Sequence, residues 1–179
     1  MPDPAKFPNG HREWTSYAHS LQLKTGIYSA PHAQTCGGFA GSLGHEAVDA
    51  QTFADWGIDF VKMDAGCRND CSLHDGCLVA SLTRMRDGLN ATGRTMVYYI
   101  DDGNPTSGPA VYNPFLRGVP SNPFTASHTA RVWAETATSW GPSLCNMWKL
   151  WYDRWDGWPS LLDNAHQQIG MQWFQSANA

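Results

Sequence analysis

Four short apolar runs recur along this chain, each followed by a stretch with helical spacing: Leu23–Tyr28, Ile58–Met63, Thr95–Ile100 and Leu144–Trp151. Trp14 and Tyr17 mark a helix over about Gly10–Ser20, and Ala47, Ala50, Phe53 and Ala54 share one face of a helix that Gly57 stops. Further helices are expected over about Leu78–Leu89, Ser127–Trp140 and Pro159–Ile169. Strands separated by helices imply parallel βαβ units, because parallel neighbours need a crossover where antiparallel ones need only a turn. A closed (β/α)8 barrel takes eight strands and about 250 residues. The 179 residues here hold four, so the chain is either part of such a barrel or a small open sheet covered on both faces. An open nucleotide-binding sheet would carry a Gly-rich phosphate loop after its first strand, and Gly37-Gly38-Phe39 does not match that fingerprint.

The second run, Gly57-Ile-Asp-Phe-Val-Lys-Met-Asp64, carries the chemistry. Side chains alternate across a strand, so Lys62 and Asp64 point the same way at its carboxyl end, where α/β barrels build their active sites. A cation beside a carboxylate favours the ionised form, as a nucleophile requires; the competing reading is a structural ion pair. Asp101 and Asp102 follow the third run, as site residues or as residues of a turn before Gly103.

Composition narrows the partners. Net charge is −4 with no basic run, which argues against nucleic acid, and no apolar stretch approaches the roughly 18 residues of a membrane span. Nine tryptophans are an excess, and Trp148 to Trp158 form a cluster that could serve as core or as a sugar platform. Five cysteines stand at 36, 67, 71, 77 and 145. The spacing Cys67-x3-Cys71-x5-Cys77 lacks the paired CxxC or HxxxH of a zinc set, so disulfides in an oxidising compartment fit better than a metal. Whether Cys71 pairs with Cys77 is left open. The Asn90-Ala91-Thr92 sequon agrees with a secretory route, whereas the start Met1-Pro-Asp-Pro has no apolar leader, so a missing front end is expected. His11, His19 and His45 read as surface or capping groups, and His32, in the small-residue loop over 29–44, as a residue that could face the site.

The ordered motifs Phe7-Pro-Asn-Gly10, Tyr17-Ala-His-Ser, Leu23-Lys-Thr-Gly-Ile-Tyr28, Thr35-Cys-Gly-Gly-Phe, Gly41-Ser-Leu-Gly44, Asp49 to Gly57, Lys62-Met-Asp64, Leu89-Asn-Ala-Thr-Gly-Arg94 and Cys145-Asn-Met-Trp-Lys149 resemble glycoside hydrolase family 27. Its members are the α-galactosidases and α-N-acetylgalactosaminidases. The resemblance implies a TIM-barrel catalytic domain, with residues 1–179 covering strands three to six and no second domain in this chain. It implies a retaining hydrolase of terminal α-D-galactosides that works without a cofactor, secreted or lysosomal/vacuolar in its full-length form. Retention uses two carboxyl groups about 5–5.5 Å apart. By resemblance Asp64 is the nucleophile, Asp153 the acid/base, and Tyr28, Cys36 and Lys62 line the sugar site. Cys36 with Cys67 matches a family disulfide, and Asn90 a family glycosylation site.

Several positions depart from the family pattern. Ile100-Asp101 replaces a Cys-Glu pair whose Glu reads the sugar 2-hydroxyl, which leaves Cys145 without its family partner. Lys149 stands in place of an arginine clamp, exchanging a bidentate fork for a point charge. Asp64-Ala-Gly-Cys67 is one residue longer than the usual Asp-Gly-Cys, and 102–126 replaces the loop that discriminates the sugar. These changes keep two alternatives in view, a sugar-binding relative that no longer hydrolyses and an unrelated α/β binding module. Half a barrel also exposes two sheet edges, so either marginal stability alone or association with another chain, a homo-oligomer being one form, is expected.

Overall fold

The computed structural model describes residues 3–65, 70–71, 76–101, 141–149, 156–158 and 161–162. In chain order these form α1 (His11–Ser20), β1 (Gly26–Ser29), α2 (Glu46–Asp55), β2 (Phe60–Asp64), α3 (Cys77–Ala91), β3 (Val97–Asp101), a short helix α4 (Gly141–Leu144) and β4 (Met147–Lys149). The expected helix over 127–140 lies outside the described residues, as does most of that expected over 159–169. Leu144, expected in a strand, sits in α4 instead: Gly141-Pro142 opens that helix, with proline near its first turn where a missing N–H costs nothing.

The four strands form one sheet in the order β1-β2-β3-β4, every pair parallel. A doubly wound sheet reverses its strand order at a switch point, whereas a barrel adds each strand to the same side of the last. The sequential order therefore makes this sheet a consecutive arc of a (β/α)8 barrel. Its alternation is legible in burial. Val61, Met63, Tyr98 and Ile100 are buried against Ala50 and Phe53 of α2 and Leu78, Leu82, Met85 and Leu89 of α3. The opposite face, which a closed barrel turns inward, carries Tyr28, Lys62, Asp64, Tyr99 and Lys149, all less buried.

Two carboxylates fasten these elements together. Glu46 at the start of α2 is buried and accepts hydrogen bonds from Ser81 Oγ (2.6 Å) and Arg84 Nη2 (2.8 Å) of α3. Burial alone would raise its pKa, but those donors hold it down to about 2. Asp59, just before β2, accepts from the Thr25 amide and from Arg94 and lies 2.7 Å from His19 Nε2. Its pKa is likewise held at about 2 against burial, by the Thr25 amide and then His19. His19 is therefore a packing partner rather than a surface group. His11 is one as well: its ring meets Trp56 edge-on, centroids 4.3 Å apart, and its Nδ1 accepts from Trp14 Nε1. His45 does sit at the N-terminal cap of α2, exposed and without a side-chain capping bond. α2 ends where expected, with Gly57 following at φ 80°, a conformation other residues adopt only at a cost.

Candidate active site

Parallel register sets the site. Asp64, Asp101 and Lys149 are aligned partners at the carboxyl ends of β2, β3 and β4, and Tyr28, Lys62 and Tyr99 form the row two residues below. Six side chains from four strands thus converge on one end of one face, from residues up to 121 positions apart, with only Lys62 and Asp64, and Tyr99 and Asp101, close in sequence.

The charges are not paired as the sequence alone implies. Lys62 Nζ lies 2.8 Å from Asp101 Oδ2 but 3.8 Å from Asp64 Oδ2, so its tighter partner is on the neighbouring strand. Lys149 Nζ approaches the same Asp101 carboxylate at 3.2 Å. Asp101 is 4% exposed, lies between two ammonium groups and ends β3 rather than standing in a turn. A buried carboxylate needs such pairing to stay ionised. Burial lowers the pKa of Lys62, and its hydrogen bond to Asp101, followed by the Asp101 and Asp64 charges, more than reverses this. The ammonium also lies 5.6 Å from the centroid of the Tyr28 ring and 6.0 Å from that of Tyr99, within cation–π range of both.

Asp64 keeps looser company. Its Oδ2 accepts from the Tyr28 hydroxyl at 3.3 Å and lies 3.7 Å from Cys36 Sγ. The same hydroxyl is 3.0 Å from the Cys36 sulfur. Burial and the adjacent Asp64 charge raise the Tyr28 pKa, so the phenol stays protonated and able to donate. The result is a carboxylate at a strand tip beside a hydroxyl donor and a cation, an arrangement that can serve attack on an electrophilic carbon.

Cys36 is disulfide-bonded, while its expected partner Cys67 lies outside the described residues, as does Asp153. Cys71 and Cys77 are joined to each other, and Cys145 is a free thiol that burial pushes up to about 12. Asn90 is exposed in the last turns of α3. Among the described residues no group of three or more His, Cys, Asp or Glu side chains could hold a metal. None of the described helices is long and apolar enough to cross a membrane. A cleft of about 220 Å³ lined by Arg86, Asn90, Tyr98, Cys145 and Asn146 lies by the amino ends of β3 and β4, away from the carboxylates.

Tyr99 is the site residue the sequence reading passed over. Its signal was present: it stands two residues before Asp101 on the same strand and so shares its face. His32 does not line the site. It is fully buried behind it, against the backbone of Ala65.

The profile of a protein family described as Alpha galactosidase A (Melibiase_2) matches residues 1–107. The chain is 45% identical to the human alpha-galactosidase A over 103 residues, covering 54% of this chain and 21% of that protein. It is 36% identical to the probable alpha-galactosidase of Dictyostelium discoideum over 169 residues, covering 93% of this chain and 34% of that one. A crystal structure from Bacteroides fragilis that carries a provisional alpha-galactosidase name superposes with TM-score 0.65 at 26% identity, over 88% of this chain and 27% of that one. The chain therefore spans about a fifth of the first of these curated relatives and about a third of the second.

Proposed function

The chain belongs to the alpha-galactosidase A family of glycoside hydrolases, and from that premise we propose that it is part of the catalytic domain of a retaining hydrolase acting on terminal α-D-galactosides. Asp64 attacks the anomeric carbon, giving a covalent glycosyl-enzyme, while Asp153 protonates the departing oxygen. Asp153 then takes a proton from the water that releases the sugar. The observation that carries this reading is the placement of Asp64 at the tip of β2, with Tyr28 Oη at 3.3 Å and Lys62 Nζ at 3.8 Å. Those contacts set a hydroxyl donor and a cation beside the carboxylate at the strand tip. Lys62 and Lys149 are the donors to the sugar hydroxyls, and Asp101 orients both. A disulfide between Cys71 and Cys77, a second at Cys36 and an exposed sequon at Asn90 support passage through an oxidising secretory compartment.

The test is hydrolysis of an aryl α-galactoside by the complete protein and its Asp64→Asn variant. Turnover that falls by at least about 10³-fold in the variant supports the reading. Equal turnover in the two refutes Asp64 as nucleophile. Calorimetric binding of galactose without any hydrolysis by the wild type would instead make the protein a non-hydrolysing sugar binder.

A further inference from the structure

His32 is fully buried in a chain whose other described histidines all keep some exposure. It stands three residues after β1, in a loop that folds back on itself. The Gly41 and Ser42 amides donate to Ala33 O and Ala30 O, Leu43 N donates to His32 O, and Ser29 Oγ meets Ser42 Oγ at 2.6 Å. Gly41 has no alternative here, because a Cβ at that position would fall 2.1 Å from the His32 carbonyl. The imidazole is thus pinned from its backbone side.

Its two nitrogens face different groups beyond the carboxyl end of the strand that carries Asp64. Nε2 lies 3.0 Å from the carbonyl oxygen of Ala65, the residue immediately after Asp64. A carbonyl only accepts, so that nitrogen carries a proton and donates. Nδ1 lies 2.7 Å from Asp70 Oδ1. That approach is off the line of a well-formed hydrogen bond and acts as a short electrostatic contact. Asp70 is itself fixed, because its other oxygen accepts from the Ala33 amide at 3.0 Å and it adjoins Cys71, which the disulfide ties to the first residue of α3. Burial works against ionisation of Asp70, and the Ala33 amide and the His32 charge more than compensate, so its pKa lies below the ordinary value.

We propose that His32 is a positioning residue for Asp64: oriented by Asp70, it grips the Ala65 carbonyl and so fixes the backbone from which the attacking carboxylate projects. The inference rests on the reading of Asp64 as nucleophile. Ala65 N donates to Asp101 O at 2.8 Å, so the Ala65 peptide groups are held from both sides, by β3 through the amide and by the β1 loop through the carbonyl.

The experiment measures kcat and KM of the complete protein on an aryl α-galactoside for His32→Ala, Asp70→Ala and Asp70→Asn, with Asp64→Asn as the reference for lost chemistry. Asn at position 70 can accept from the Ala33 amide through Oδ1 and donate to Nδ1 of a neutral imidazole, which keeps Nε2–H aimed at Ala65. The expected result is a fall in kcat of about 10- to 100-fold in both alanine variants with KM within about twofold, since a nucleophile displaced by about 1 Å loses rate on that scale. Asp70→Asn is expected to recover most of that rate. Position 70 decides the matter if His32→Ala fails to fold, because the Asp70 side chain is 40% exposed and its loss leaves no cavity. Wild-type kcat in Asp70→Ala, or equal losses in Asp70→Ala and Asp70→Asn, overturns the proposal while Asp64→Asn still identifies the nucleophile. Undiminished turnover in Asp64→Asn overturns both readings together.

Discussion

Replacing Asp101 by Asn keeps the volume and removes the charge that anchors Lys62. The ammonium then has Asp64 as the nearest of the carboxylates described beside it, now 3.8 Å away against 2.8 Å for Asp101. With an effective dielectric of about 20, closing the Asp64 distance from 3.8 to 2.8 Å strengthens that attraction by about 1.5 kcal/mol. Attack on the sugar must overcome this added stabilisation of the carboxylate, so kcat for an aryl α-galactoside is expected to fall about tenfold. A change confined to Lys62 and Asp64 acts on the chemical step, so KM is expected to move less than kcat. Steady-state kinetics of the complete protein, with single-turnover measurement of the first step, provide the assay. An unchanged kcat refutes the anchoring role. A loss expressed wholly in KM also refutes it and puts the Asp101 carboxylate directly on the sugar, as the family resemblance implies for its Glu counterpart.

Further outcomes follow from the same contacts. Glu46→Gln removes a buried acceptor charge shared by Ser81 and Arg84, and is expected to lower stability at pH 7 by about 1–3 kcal/mol, read as a shift in denaturant midpoint at unchanged slope. Because the folded pKa of Glu46 is depressed to about 2, its contribution is complete above its ordinary pKa and is lost as pH falls towards about 2; the wild-type and variant midpoints should therefore converge on acidification. Cys145, free and with its thiol pushed up to about 12, should resist iodoacetamide at pH 8 in the native protein and react once the protein is unfolded without reductant. Expression of Asn90→Gln through a secretory pathway should produce a protein lighter by one glycan, and an unchanged mass would remove the sequon from the account.

What the sequence disclosed and what it withheld divide along physical lines. Period and stop signals placed the helices α1, α2 and α3 to within a residue or two, because amphipathic spacing and the Gly57 stop are local properties. Alternation put Lys62 and Asp64 on one face for the same reason. Strand-to-strand register is a tertiary property, so the true partner of Lys62, 39 positions away at Asp101, was not legible from the strand that holds both Lys62 and Asp64. Loops were the least legible. His32 gave no periodic signal, and its environment depends on Ala65 and Asp70, which lie 33 and 38 positions further along the chain. His11 and His19 read from sequence as surface or capping groups, yet they pack, because a helix face polar in sequence still packs when its polar tips find partners such as Trp14 and Asp59.

The central claim, that Asp64 attacks the sugar, is tested most directly by trapping. An activated fluorinated galactoside that forms a slow-turnover glycosyl-enzyme is incubated with the complete protein, which is then digested and its peptides mapped by mass. The account predicts a single hexosyl adduct on the peptide containing Lys62-Met63-Asp64, located on Asp64 and absent from Asp64→Asn. An adduct on another carboxylate, or hydrolysis with inversion and no adduct, would contradict it.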